Sequence, residues 1–310
     1  MKSTAKTIVI VNPASANGRV GREWDRIHRQ IKENYDCTFE VEMTQHPGHA
    51  VDLSQEAVKA GYRLVVALGG DGMINEVLNG LFRERESLRE DVVLGLLPLG
   101  TSNDLRRTLG IPKKLPLAVQ TLNKAEVRLV DVGKVTTSNL EGVPEVRCFL
   151  NVADFGSGGA IADRVNRTTK RFGAQLSIYW GIISTMISFE NPTITFSIDG
   201  GGEQTAVIND FILANARYFG GGLKPAPDAQ MDDGLFDIIT LGDIGFVESL
   251  INLPRLKKGT HLTHKKARFY RGKRVVARAN TRVMIQTDGE VIGALPATFE
   301  IIPQALKVKA

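Results

Sequence analysis

The feature that most constrains this chain is a change of hydrophobic rhythm near residue 131. Before it, short β-branched runs alternate with helical patterns; after it, strand-like runs follow one another with few helices between them. The first rhythm is that of βαβ units and a parallel sheet. Strands are expected at Thr7–Val11, Thr38–Met43, Leu64–Leu68 and Val92–Leu97, with helices at Trp24–Glu33 and Ala50–Ala60. A further helix is marked by Ile74, Val77, Leu78, Leu81 and Phe82, which fall on one apolar stripe. The second rhythm predicts strands at Asp131–Thr136, Arg147–Ala153, Thr193–Ile198, Val207–Asn215, Leu235–Leu241, Ala267–Arg271, Val275–Ala279, Val283–Asp288 and Ala297–Ile302. Only Gly173–Phe189 and Phe246–Lys258 read as helices there, which points to an antiparallel sandwich or flattened barrel.

Length and composition agree with two folded units or one large one. The chain has 310 residues, of which 43% are hydrophobic and 24% charged, and this excludes a disordered, collagenous or coiled-coil protein. Lysine plus arginine less aspartate plus glutamate is 39 − 34 = +5, a mild basic excess suited to phosphates or an anionic surface without requiring either. Cys37 and Cys148 are too few for a disulfide framework or a zinc cluster. The first apolar run is too short for a signal peptide, and Leu176–Phe189 falls short of the roughly 20 residues that span a bilayer. A cytoplasmic protein is expected, with peripheral contact at the inner membrane face.

The chemistry concentrates in loops at the carboxyl ends of strands, where open α/β sheets bind ligands. Leu68-Gly69-Gly70-Asp71-Gly72-Met73 joins a strand to a helix; its glycines admit close backbone approach, and the helix start offers unpaired N–H groups to a phosphate. Asp71 would repel a phosphate unless a cation or a substrate proton offsets it, or else it is a helix cap. Pro98-Leu99-Gly100-Thr101-Ser102-Asn103-Asp104 has the same topology, and the two loops are expected to converge. Asn12-Pro13-Ala14-Ser15-Ala16-Asn17-Gly18-Arg19 suits a nucleotide phosphate or is a plain solvated loop. Gly220–Leu235 is rich in glycine, proline and acid, and reads as an oxygen-ligand turn or an acidic β-turn. Asp288-Gly289-Glu290 offers a general base or a hairpin turn.

Together these segments resemble the bacterial diacylglycerol kinase-like lipid kinases. The matching motifs are NP-x-S at the start, GGDG, P-L-G-T-x-N-D-x-x-R, GGG…P-x-A-x-x-D-D-G-L and DGE, in order over residues 7 to 302. Their superfamily also holds eukaryotic diacylglycerol, sphingosine and ceramide kinases and, more distantly, NAD kinases. The resemblance implies an α/β nucleotide-binding domain at 1–130, a β-sandwich lipid domain at 131–295 with the tail 296–310 returning to the first, and an active site in the cleft between them. It implies ATP contacts from Asn12, Pro13, Ala14, Ser15 and Ala16, from Thr44, from Gly69, Gly70, Asp71, Gly72, Met73, Ile74, Asn75 and Glu76, and from Thr101 and Asn103. Asp71 and Asp104 would lie near the catalytic Mg2+, Asp131 would anchor a water network around it, and Glu290 would be the general base. A structural magnesium would take the carbonyls of Gln230 and Leu235 and the carboxylate of Asp233. Lys170 aligns with a basic residue near the phosphates. One departure stands out: the family pattern is GGDGT, and Met73 replaces the threonine.

The implied activity is ATP-dependent phosphorylation of a lipid hydroxyl, diacylglycerol favoured, to give a phospholipid such as phosphatidic acid. Phosphatidylglycerol, sphingoid lipids and NAD remain alternative acceptors, and Met73 leaves open a non-catalytic lipid- or nucleotide-binding protein. The stripe Leu176, Tyr179, Trp180, Ile183, Met186 and Ile187 would line an acyl slot or pack on the core. Between Arg255 and Arg278, ten lysines and arginines occur with no acid, a run that would attract anionic lipid or remain a solvated face. No nucleic-acid motif accompanies it, and homodimerisation stays open.

Overall fold

In the computed structural model, the residues described are 6–82, 92–168 and 187–310. They form two compact units, Met1–Val132 with Pro303–Ala310, and Gly133–Ile302.

In the first unit the strands are β1 (Thr7–Val11), β2 (Glu40–Met43), β3 (Leu64–Gly69) and β4 (Val93–Pro98). They lie parallel in the order β2-β1-β3-β4, and the last residues of β15 (Glu290–Lys309) add a further parallel strand beside β4. β1 and β3 are buried along their whole length, as strands covered on both faces must be, so they read as continuous rather than alternating apolar runs. Helices α1 (Ser15–Arg22), α2 (Trp24–Asn34), α3 (His49–Lys59), α4 (Asp71–Phe82), α5 (Asp104–Leu109) and α6 (Leu115–Lys124) connect them. The stripe Ile74, Val77, Leu78, Leu81 and Phe82 of α4 is buried as its spacing predicts. Register aligns Met43, Val11, Leu68 and Leu97 across the sheet, so the loops leaving the four strands start along one edge.

The second unit is antiparallel. One run of strands is β12 (Ala267–Gly272), β11 (Phe236–Leu241), β10 (Asp210–Ala214), β7 (Val152–Gly156), β14 (Met284–Thr287) and β15. The other joins β9 (Gln204–Val207), β8 (Thr193–Ile198) and β13 (Arg274–Ala279) to β15, which also pairs with β5 (Val127–Ser138) and through it β6 (Pro144–Phe149). The core between them is aromatic: Phe155 stacks on Phe211 at 4.6 Å and on Phe299 at 5.6 Å, and Phe149 on Phe236 at 5.7 Å. Among the described residues this unit also holds the α-helices α7 (Ser157–Thr168) and α8 (Phe246–Lys258) and a 3-10 turn at His261–Thr263.

Several sequence expectations need correction. The strand expected at Arg147–Ala153 is two, β6 and β7, because the Asp288 carboxylate takes the N–H groups of Leu150, Asn151 and Val152 and turns the chain there. The strand expected at Val207–Asn215 divides at Ile208 and Asn209, where the Asn209 amide donates to Asn191 Oδ1 and accepts from Ser157 Oγ. Ala297–Ile302 is only the middle of a strand that runs from Glu290 to Lys309. Pro296 lies at the changeover from pairing with β14, which stops at Ala294, to pairing with β13, which begins at Ala297. Helices α6 and α7 were not expected, although Leu115, Ala118, Val119 and Leu122 form a clear buried stripe in α6. The helix expected at Gly173–Phe189 lies almost entirely outside the described residues.

Candidate active site

In the first unit three loops meet at the sheet edge where the strand order reverses between β1 and β3. Gly70 and Gly100 touch backbone to backbone: a Cβ on Gly100 would lie 2.2 Å from Gly70 Cα. A Cβ on Gly69 would lie 3.0 Å from Ser15 Oγ. Both glycines are therefore required by space, and the expected convergence of the loops holds. After β1, Asn12 Oδ1 accepts the Ala14 N–H at 2.9 Å, and the first turn of α1 is kinked by Ala16, Asn17 and Gly18 in succession at φ 52°, 57° and 76°. Left-handed backbone at Ala16 is unfavourable for a residue with a Cβ and no polar side chain, and such strain concentrates at functional sites. Thr44, at the end of β2, is tied by its N–H to Val11 O at 2.9 Å beside this loop.

The acids do more local work than the sequence reveals. Asp71 opens α4, but its Oδ2 and Oδ1 accept the N–H groups of Asp104 and Leu105 at 3.0 and 3.1 Å, so it caps α5 across the loop contact. Asp104 is buried and pairs with Arg107 at 3.4 Å. Asn103, at φ 51°, closes the second loop on itself: its side chain accepts the Gly100 N–H at 3.0 Å and donates to Gly100 O at 2.7 Å. Thr101 is exposed at the tip. Glu76 caps α3 by accepting the N–H groups of Gly48 and Ala50. Met73, Ile74 and Asn75 are buried, and Met73 packs on Gly69, where a Cβ would be 2.7 Å from its own. These four side chains thus build the cradle from behind. Asp131 is fully buried and its Oδ1 accepts the N–H of Gln304 at 2.7 Å, fixing a left-handed turn in β15. Lys170 lies outside the described residues.

In the second unit Asp288 and Gly289, at φ 50° and 94°, form the tight turn between β14 and β15, with Thr287 opposite Glu290. Asp288 anchors this hairpin to the break between β6 and β7, and Glu290 follows it half-exposed. At the same break Asn151 Oδ1 and Thr287 Oγ1 are buried without a hydrogen-bond partner among the described residues, a place for a water or a hydroxyl. Gln230, Asp233 and Leu235 share one turn; Asp233 accepts the Leu235 N–H at 3.1 Å and also pairs with Arg271, which reaches Asp237 at 2.9 Å. Oxygen donors of this kind suit a hard cation, but only in competition with the Arg271 guanidinium. Among the described residues no three or more His, Cys, Asp or Glu side chains are grouped to hold a metal.

Sequence reasoning missed a buried acid pair, Asp154 on β7 and Asp210 on β10. Burial raises both carboxyls well above the usual range, and Asp154's negative charge raises Asp210 further. The Gln286 amide donates to Asp154, and the Gly158 N–H at the start of α7 donates to Asp210 at 3.3 Å. The available signal was an aspartate within β7 and another opening β10, both otherwise apolar strands. Burial likewise lifts the Cys148 thiol to about 12, so it is an inert filler.

Comparison with known proteins agrees with this picture. The family model for the diacylglycerol kinase catalytic domain matches residues 6–135, and that for the YegS C-terminal NAD kinase beta sandwich-like domain matches residues 151–310. A diacylglycerol kinase from Bacillus subtilis (strain 168) is 29% identical over 94% of this chain and 91% of its own length. One from Staphylococcus carnosus (strain TM300) is 27% identical over 86% and 82%. A crystal structure of a diacylglycerol kinase from Bacillus anthracis str. Sterne shares the fold, with a TM-score of 0.72 at 22% identity over 99% of this chain and 97% of that one. With both halves matched in order along nearly the whole chain, this protein belongs to the bacterial diacylglycerol kinase-like family of lipid kinases.

Proposed function

We propose that this kinase transfers the γ-phosphate of ATP to the free hydroxyl of diacylglycerol, giving phosphatidic acid and ADP. The observation that carries the reading is the Gly70–Gly100 contact beside Ser15, because it leaves backbone N–H groups and no side-chain bulk at the point where a triphosphate would lie. Phosphoryl transfer asks a protein mainly for positioning and charge neutralisation. Gly69, Gly70, Gly72, Thr101 and the Asn12–Ala16 loop are assigned to the phosphates, with Thr44 near the nucleotide. Glu290 is assigned as the base: it takes the proton from the lipid hydroxyl while the oxygen attacks the γ-phosphorus and the bond to the β-phosphate oxygen breaks. Asn151 Oδ1 and Thr287 Oγ1 are suited to hold that hydroxyl or a water beside it. Magnesium, when bound, neutralises phosphate charge, and Asp71 and Asp104 are the carboxylates assigned to it, with Asp131 behind them. The turn of Gln230, Asp233 and Leu235 is the proposed second cation position.

Met73 is compatible with this reading, since its side chain is buried against Gly69. The test is phosphate transfer from labelled ATP to diacylglycerol, phosphatidylglycerol, a sphingoid base and NAD in parallel. Labelled phosphatidic acid as the main product supports the reading; label in another acceptor replaces diacylglycerol with that acceptor.

A further inference from the structure

Helix α8 carries its apolar stripe on the outside. Val247, Leu250, Ile251 and Leu253 are 65%, 53%, 69% and 43% exposed, and none of the helix's 13 residues is buried. The side turned toward the protein is mixed: Phe246, Ser249, Asn252 and Leu256 are partly covered, and Glu248 pairs with Lys266 at 2.6 Å and with His264 at 3.3 Å. A helix that stabilises a fold in water buries its apolar stripe rather than leaving most of it exposed. Single exposed aliphatic residues need no explanation, but a stripe at helical spacing does.

Charge selects what covers it. The last turn holds Arg255, Lys257 and Lys258, all exposed, and Lys265 follows. Among the described residues, Lys257, Lys258 and Lys265 make no ion pair. A second copy packed with its helix parallel to this one would bring this cationic rim against itself. An anionic bilayer instead takes aliphatic side chains at its acyl boundary and cations at its headgroups. The helix is also fixed in place: the Lys224 N–H donates to Leu256 O at 3.1 Å, and a Cβ on Gly259 would lie 3.0 Å from Pro227. Docking through α8 would therefore set the Gly220–Leu235 loop close to the membrane.

We propose that α8 is a membrane-docking element whose Val247, Leu250, Ile251 and Leu253 enter an anionic phospholipid bilayer while Arg255, Lys257 and Lys258 engage its headgroups. This deepens the lipid-kinase reading, on which it rests only for the activity measurements below.

The experiment is co-sedimentation of the full chain with phosphatidylglycerol-containing and with pure phosphatidylcholine vesicles. The natural protein is compared with Leu250→Asp/Ile251→Asp and with Lys257→Gln/Lys258→Gln, each first shown to keep its melting temperature. The natural protein is expected on the anionic vesicles. The charge variant should bind them on the order of tenfold less at low salt, and the aspartate variant should lose binding. In detergent micelles both variants should phosphorylate lipid at the natural rate and lose activity only on vesicles. Equal vesicle binding by all three proteins, or none by the natural protein, overturns the proposal. So does a dimer that the aspartate variant abolishes while vesicle binding is unchanged. Vesicle binding that depends on α8, in a protein that phosphorylates no lipid in micelles, would leave docking standing and remove the lipid-kinase reading instead.

Discussion

Gly70 and Gly100 lie backbone against backbone at the ends of two neighbouring strands, so closely that a methyl group on Gly100 would fall 2.2 Å from Gly70 Cα. The contact joins the loops that follow β3 and β4 into one surface. Gly100→Ala must push them apart, at a cost typical of overpacking, about 1–3 kcal/mol. A lower melting temperature and weaker ATP binding by titration are expected. Unchanged values of both would contradict the contact.

Asp71 has separable roles. Its carboxylate caps α5 through Asp104 and Leu105, so Asp71→Ala should lose about 0.5–2 kcal/mol of stability. Asp71→Asn keeps an acceptor oxygen but not the charge. It should retain most of the stability and still lose turnover if the charge serves the phosphates. Denaturant melts beside initial rates separate the two, and an asparagine variant with full turnover would leave Asp71 a cap alone.

Met73 packs in the core under Gly69. Met73→Thr, which restores the family's usual residue, should therefore destabilise the chain by about 1–3 kcal/mol. Its hydroxyl should improve ATP affinity by no more than about tenfold. Calorimetric melting and ATP titration check this; a variant of unchanged stability would mean that the thioether is not packed as described.

The pair Asp154 and Asp210 makes stability depend on pH. Both carboxyls hold protons more tightly folded than unfolded, so the folded chain binds the excess from the ordinary carboxylate range near pH 4 up to about 7 for Asp154, with Asp210 raised in the same direction. This contribution to stability is lost as pH rises through that window. Asp210→Asn mimics the protonated acid and keeps an acceptor for the Gly158 N–H, so its urea midpoint should fall less between pH 5 and 8 than the natural protein's. Equal falls would contradict the assignment.

How much of this was legible depended on the range of the interactions. Thr7–Val11 and the Ile74 to Phe82 stripe follow from local pattern, and the structure has both. The glycines of the loops after β3 and β4 were legible as glycines, since only close approach or unusual backbone explains them. What Asp71 and Glu76 do was not, because each caps a helix other than its own. The division of 147–153 into two strands depends on Asp288, more than a hundred residues away, and no local propensity records it. The Asp154–Asp210 pair likewise needs strand pairing to bring two separately placed acids onto one face.

The central claim is that Glu290, presented by the Asp288-Gly289 turn, is the base for phosphate transfer to diacylglycerol. The most direct measurement is the initial rate of labelled phosphatidic acid formation in diacylglycerol micelles by the natural protein and by Glu290→Gln. The account predicts a clear rate for the first and a loss of about 10² to 10⁴ for the second, with ATP affinity and melting temperature little changed. Near-natural turnover in the glutamine variant would contradict it.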